Sequence, residues 1–71
     1  MSIRDEFNVH VLNDGGIEKA KAIAEVYSRA LDDLERLCGA EGREMAVART
    51  KLQESAFFAK RAMAVRPENQ R

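Results

Sequence analysis

The residues that could do chemistry in this chain lie on one side of its second predicted helix. At about 100° of rotation per residue, five of them share one stripe. An arginine fork can bind phosphate and stack on a flat ring, a threonine hydroxyl donates and accepts hydrogen bonds, and a phenylalanine ring can stack on a base. Together they could hold a small, planar, anionic ligand, although apolar helix faces more often form oligomer interfaces. The stripe comprises Thr50, Glu54, Phe57, Phe58 and Arg61.

The opposite side of the same helix has the pattern of a core seam, made of Met45, Ala48, Leu52, Ala56, Ala59 and Met63. A helix that is hydrophobic on two sides is buried on two sides, so Phe57 and Phe58 need a cover besides the partner helix. With 71 residues, one cysteine and one histidine, the chain can form neither an internal disulfide nor a credible zinc set. Small domains that lack such staples commonly oligomerise, so we expect a homo-oligomer.

Three single residues have side chains of reactive type, and each has a structural explanation. His10 is either a packing residue of the N-terminal arm or a ring that stacks on or hydrogen-bonds a ligand. Cys38 fits a small buried residue at a helix end. Tyr27 falls on the seam of the first helix, with its hydroxyl expected at the rim of the core.

Motifs and composition argue against an enzyme, a protein that binds duplex nucleic acid and a protein that spans a membrane. The chain has no nucleophile elbow, phosphate-binding loop or dinucleotide glycine pattern, so we predict no enzyme activity, cofactor or metal. A net charge of zero gives no basic field for duplex nucleic acid. No run is long enough to span a membrane, and the acids among residues 1–6 do not suit a signal peptide. A free cysteine fits a reducing compartment, so the predicted location is the cytoplasm.

The elements that must position these residues form an all-α, antiparallel two-helix hairpin in a single domain, 1–71. The predicted parts are an arm (1–13), helix 1 (14–39), helix 2 (42–66) and a polar tail (67–71). The arm is predicted as an extended segment packed on the helices, with a short extra helix as the alternative. Asn13 or Asp14 can cap helix 1, Gly39 and Gly42 allow the tight turn, and Pro67 stops helix 2.

Helix 1 carries its own seam, in which apolar residues repeat with spacings of three and four. Further apolar residues widen that surface to a second side, so helix 1 also has more hydrophobic width than one partner needs. The seam comprises Ile17, Ala20, Ala24, Tyr27, Leu31, Leu34 and Cys38, and the second side Ile23, Val26, Ala30 and Leu37.

Helix 2 also carries a spaced motif, Gly42-Arg-Glu-x-Ala-x-x-x-Thr50-Lys-Leu-Gln-x-x-x-Phe57-x-x-Lys-Arg61-Ala-x-Ala-x-x-Pro67. With the Leu12-x-x-x-x-Ile17 start of helix 1, it resembles the small phage helical-hairpin family of cyclic-oligonucleotide sponges. The resemblance runs from about Val9 to Pro67. These proteins counter cyclic-oligonucleotide-based antiphage signalling (CBASS) and Thoeris.

The resemblance implies a compact homohexamer that holds cyclic dinucleotides, and often cyclic trinucleotides, in pockets between protomers. It implies Thr50 as a polar ligand contact, Arg61 as a phosphate or base contact, and Leu12 and Asn13 as lining of a pocket. Many members carry an aromatic and then a basic residue where this chain has Val9 and His10. The stacking ring of that place would therefore have to come from Phe7 or His10. A lysine that some members use in the first helix aligns near Ala24, one turn from Lys21.

These observations lead to two hypotheses. In the first, the protein sequesters cyclic oligonucleotide messengers without cleaving them, and the expected site residues are His10, Leu12, Asn13, Thr50, Phe57 and Arg61. In the second, it is a structural or regulatory helical module that docks a protein partner and binds no small ligand.

Overall fold

The computed structural model describes residues 10–71. Over this range the chain forms two α-helices, α1 (Asp14–Cys38) and α2 (Arg43–Ala64), followed by a short 3-10 turn, Pro67–Asn69. Within the described range there is no strand; Leu12 and Gln70 form one isolated antiparallel bridge. The predicted all-helical architecture with two helices is therefore confirmed. Residues 10–12 precede α1 without forming a helix, and the expectations for Phe7 and Val9 lie outside the described residues.

Asn13 caps the start of α1. Its backbone is extended, with φ −80° and ψ −177°, and its side-chain oxygen accepts a hydrogen bond from the Gly16 N–H at 2.8 Å. The Asn13 carbonyl accepts the first helical bond, from the Ile17 N–H at 2.9 Å. This satisfies donors that have no partner within the helix. Asp14 instead lies in the first turn, where its negative charge suits the helix dipole.

The hairpin turn is held by two glycines and one ion pair. Gly39 (φ 84°) and Gly42 (φ 108°) adopt positive φ, which favours glycine because it lacks a Cβ atom. The Arg49 guanidinium lies 2.8 Å from a carboxylate oxygen of Glu35 and also donates to the Ala40 carbonyl at 3.3 Å. These charge-assisted bonds join the end of α1 to the beginning of α2 and hold the helices as antiparallel neighbours.

The helix interface follows the predicted α2 seam. Met45 and Met63 are buried near its two ends, and the four predicted seam residues between them are half-buried. The α1 seam is half-buried from Ala20 to Leu34, and the Tyr27 hydroxyl shares a hydrogen bond with Ser55 at the rim.

The α1 prediction is wrong at both ends of the seam, because Ile17 is 43% exposed and Cys38 is exposed. At the first end, Gly16 makes the close contact with the tail in place of Ile17. At the other end, Cys38 lies on the rim of an open groove, so it is not the buried residue that the sequence suggested.

One helix pair leaves much apolar surface uncovered. The described chain measures 48 × 27 × 11 Å, and its smallest dimension is close to the diameter of one helix with its side chains, about 10–12 Å. Neither described helix has the length and hydropathy that a membrane crossing requires. Large apolar side chains remain exposed on both helices, among them Val26, Leu37, Val47, Phe57, Phe58 and Val65.

The tail, residues 67–71, folds back onto the start of α1. The Asn69 side chain is only 1% exposed. It accepts from Lys19 Nζ at 2.6 Å and donates to the Met63 carbonyl at 2.9 Å. From its composition this segment is predicted only to be a polar tail. In the structure it closes the open end of the hairpin.

Replacing Gly16 with alanine is expected to destabilise the fold. A Cβ atom at Gly16 would meet the Asn69 carbonyl oxygen at 2.4 Å, so the tail would have to shift. Overpacking of this kind costs about 1–3 kcal/mol, measurable as a lower free energy of unfolding in urea. Gly15→Ala is the matched control because its Cβ would meet only Asn13 Oδ1, at 3.4 Å. Equal stability of the two variants would contradict the close packing of the tail.

Candidate functional site

The stripe predicted on α2, called here the outer face, is exposed along its length. It comprises Thr50, Glu54, Phe57, Phe58 and Arg61, all of them exposed. Phe57 and Phe58 are 61% and 64% exposed, and their rings make an edge-to-face contact with centroids 5.3 Å apart. Arg61 follows Phe57 by four residues, so the two are neighbours on the helix surface. The outer face thus presents two aromatic rings beside a guanidinium.

Thr50 lies farther along the same stripe. Its hydroxyl donates to the Ala46 carbonyl at 3.1 Å, which leaves its oxygen free to accept a hydrogen bond from a ligand. Thr50 and Arg61 are eleven residues apart, or about 16 Å along the axis at 1.5 Å per residue. One phosphate group therefore cannot contact both side chains of the same chain.

The three arm residues predicted for the site lie together at the open end of the hairpin, against the tail. The Asn13 N–H donates to the Asn69 carbonyl at 2.9 Å, and the Arg71 N–H donates to the Val11 carbonyl at 2.9 Å. The Asn13 side-chain amide donates to the carbonyls of Glu68 and Gln70 at 2.9 and 3.1 Å. Both of its amide hydrogens are thus committed inside the chain, so a ligand contact by the Asn13 side chain stays a prediction.

His10 is joined to the tail through its ring. Gln70 Nε2 lies 3.1 Å from His10 Nδ1 and 2.9 Å from the Ala64 carbonyl. The contact to a carbonyl identifies Nε2 as the donor, so His10 Nδ1 accepts and its Nε2 carries the hydrogen. Leu12 is half-buried, and its side chain lies close to Gly16. The structure therefore brings His10, Leu12 and Asn13 together against the tail.

Lys19, Asn69 and Gln70 were missed by the sequence analysis. Lys19 of α1 bonds to Asn69 of the tail, and Asn69 and Gln70 bond to the arm. The one sequence signal was Pro67, which is favoured in the first turn of a helical segment and opens the 3-10 turn here. Nothing in the spacing of Asn69 and Gln70 indicates partners some 50 to 60 residues earlier.

Two open grooves lie elsewhere on the hairpin. One, of about 540 Å³, is at the turn and is lined by Cys38, Arg43, Met45 and their neighbours. A smaller one, of about 150 Å³, lies between the helices beside Tyr27 and Arg49. Neither includes a predicted site residue. Within residues 10–71, no three histidine, cysteine or acidic side chains are grouped so that they could hold a metal ion.

Fold and surface together define a one-layer helical hairpin that presents its candidate ligand groups on exposed faces. A family model described as the Acb2/Tad1 hairpin domain matches residues 1–64. The chain belongs to this family of anti-CBASS and anti-Thoeris sponges, which confirms the resemblance noted from the helix motifs. The family is known for binding cyclic oligonucleotides and is not a known enzyme family. The match includes both helices and ends at Ala64, so the tail lies outside it.

Comparison with curated proteins and comparison with solved structures each returned no match.

Proposed function

We propose that this protein binds and sequesters cyclic oligonucleotide immune messengers, dinucleotides or trinucleotides, without cleaving them. Removal of the messenger would keep the immune effector inactive during phage infection. The place of action would be the cytoplasm of the infected host cell. The observation that carries the proposal is the outer face, where two exposed rings lie beside Arg61 in a chain of the sponge family.

The chemistry of the outer face suits such a ligand. A cyclic oligonucleotide is a ring of phosphodiesters that carries flat bases. The Arg61 guanidinium can pair with a phosphate oxygen or stack on a base. Phe57 and Phe58 offer surfaces for base stacking, and the Thr50 oxygen can accept a hydrogen bond from a base edge. Binding by these groups requires no bond cleavage.

The sites are proposed to lie between copies of the chain, in a homohexamer as the family resemblance implies. Two observations support shared sites. Thr50 and Arg61 of one chain are about 16 Å apart along α2, and the hairpin is only one helix thick. In an assembly, the outer face of one copy could approach His10 and Leu12 of another and enclose a ligand. The same contacts would cover Phe57 and Phe58.

The second candidate function is docking of a protein partner without any small ligand. Exposed Val47 and Val65 favour it, because they extend the outer face with apolar side chains that a nucleotide would not need. Both functions predict a covered outer face, and only the first predicts that a nucleotide stabilises the protein.

A thermal-shift screen separates the two functions. Purified protein would be heated with a panel of cyclic dinucleotides, cyclic trinucleotides and cyclic ADP-ribose isomers. A ligand that binds only the folded state stabilises it by mass action, by about 2.7 kcal/mol at a hundredfold excess over Kd. The melting temperature rises as a result. We expect a large shift with one class of ligand. No shift across the panel, from a folded oligomer, would favour the docking module.

A further inference from the structure

We propose that the tail, residues 67–71, is a positioning element for the ligand site. It would hold His10, Leu12 and Asn13 in binding geometry before a ligand arrives, with Gln70 as the positioning residue for His10. This inference rests on the proposed function. It concerns a segment outside the family match, which ends at Ala64.

The bonds between arm and tail are numerous for so short a segment. The two backbone bonds, from Asn13 to Asn69 and from Arg71 to Val11, fix the tail alongside the arm in antiparallel register. The Asn13 side chain adds bonds to the carbonyls of Glu68 and Gln70. Every one of these contacts joins residues that are far apart in the chain, so the docked tail helps to hold residues 11–13 in place.

The tail is in turn anchored to both helices. Asn69, almost fully buried, bonds to Lys19 of α1 and to the Met63 carbonyl at the end of α2. Undocking of Asn69 would break both of these hydrogen bonds, one of which comes from the charged Lys19 ammonium. Through the tail, residues 10–13 are therefore linked to both helices.

Gln70 connects the tail to His10, the candidate ligand contact. Its Nε2 bonds to the Ala64 carbonyl and to His10 Nδ1, which holds the imidazole and places the ring hydrogen on Nε2, where it can donate to a phosphate or a base. Without Gln70 the ring could rotate and exchange tautomers. A site whose competent state is only partly populated loses affinity in proportion to that fraction. Docking of the tail would thus raise affinity without any tail residue touching the ligand.

The test compares Gln70→Met with the wild-type chain. Methionine is of similar length but cannot donate to His10 or Ala64. Glu68→Gln is the matched control, because the Glu68 side chain is exposed and makes only a 3.9 Å contact to Arg66. Circular dichroism and sedimentation velocity would show that folding and assembly are kept. If Gln70→Met fails to fold, Gln70→Ala takes its place.

Two readouts are expected to change. In the ligand-free protein, hydrogen exchange of the Asn13 N–H should become faster in Gln70→Met and stay slow in the control. For the cyclic nucleotide that gives the largest thermal shift, the Kd of Gln70→Met should be about tenfold higher than that of the wild-type protein. This rise corresponds to a binding-competent fraction of about one tenth in the variant. The double variant His10→Ala/Gln70→Met should bind no more weakly than His10→Ala, since Gln70 acts through His10.

Different failures have different meanings. If the wild-type protein binds no cyclic nucleotide, both the proposed function and the positioning role are contradicted. If the wild-type protein binds and Gln70→Met binds equally tightly, only the positioning role is overturned. Additive losses in the double variant would also overturn it, because they would show that Gln70 acts independently of His10.

Discussion

Replacing Phe57 with aspartate is expected to dissociate the proposed homo-oligomer. Phe57 is 61% exposed in the single chain, so the hairpin itself does not depend on burying it. Burial of a phenylalanine between copies contributes about 1.5–3 kcal/mol, and this gain would be lost at every repeated interface. An unpaired carboxylate in the same place adds a large desolvation cost. Sedimentation velocity should show an oligomer for the wild-type protein and a smaller species for Phe57→Asp.

The matched control for this change is Phe57→Leu, which keeps an apolar side chain at the same position. It should retain the assembly, while both variants keep the helical circular dichroism of the hairpin. Because the proposed sites lie between copies, Phe57→Asp should also lose the thermal shift with nucleotides. A Phe57→Asp variant that sedimented as the full oligomer would contradict the proposed role of the outer face.

Replacing Arg61 with alanine is expected to weaken ligand binding by about 1.5–3 kcal/mol, the usual contribution of a hydrogen bond to a charged group. This corresponds to a rise in Kd of about 10- to 150-fold at 1.4 kcal/mol per factor of ten. Arg61→Lys should fall between the two, because lysine keeps the charge but lacks the planar fork and the stacking surface. Calorimetric titration would measure both variants against the wild-type protein.

Lys60→Ala is the control for charge. It removes the same formal charge at the neighbouring position, about 100° around the helix, and is expected to leave the affinity nearly unchanged. Equal losses in Lys60→Ala and Arg61→Ala would mean that only net charge matters. An unchanged affinity in Arg61→Ala would remove Arg61 from the site.

The two helices were predictable because their apolar seam residues repeat at helical spacing. The α2 seam from Met45 to Met63 repeats at helical spacing, and its residues are buried or half-buried in the structure. Glycines at 39 and 42 indicated the turn, since positive φ favours a residue without a side chain. The motif around Thr50 and Arg61 pointed to the family that the comparison then identified. Each of these signals is local, or repeats within one element.

The connection between arm and tail could not be found in this way. Asn69 and Gln70 act through hydrogen bonds to residues 50 to 60 positions away, and such contacts leave no periodic trace in a sequence. Ile17 and Cys38 fit the heptad spacing of α1 but lie at the ends of the helix, where the partner helix no longer covers them. The proposed contacts of the outer face lie between copies of the chain, so the pattern of a single sequence does not specify them.

The most direct measurement is a calorimetric titration of the wild-type protein with the nucleotide that gives the largest thermal shift, followed by heat denaturation and chromatography of the released ligand. We predict that the heat signal saturates at a fixed ratio of ligand to chains and that the ligand is recovered intact. A titration without binding heat would contradict sequestration. So would recovery of a linear or cleaved nucleotide, because the protein would then be acting as an enzyme.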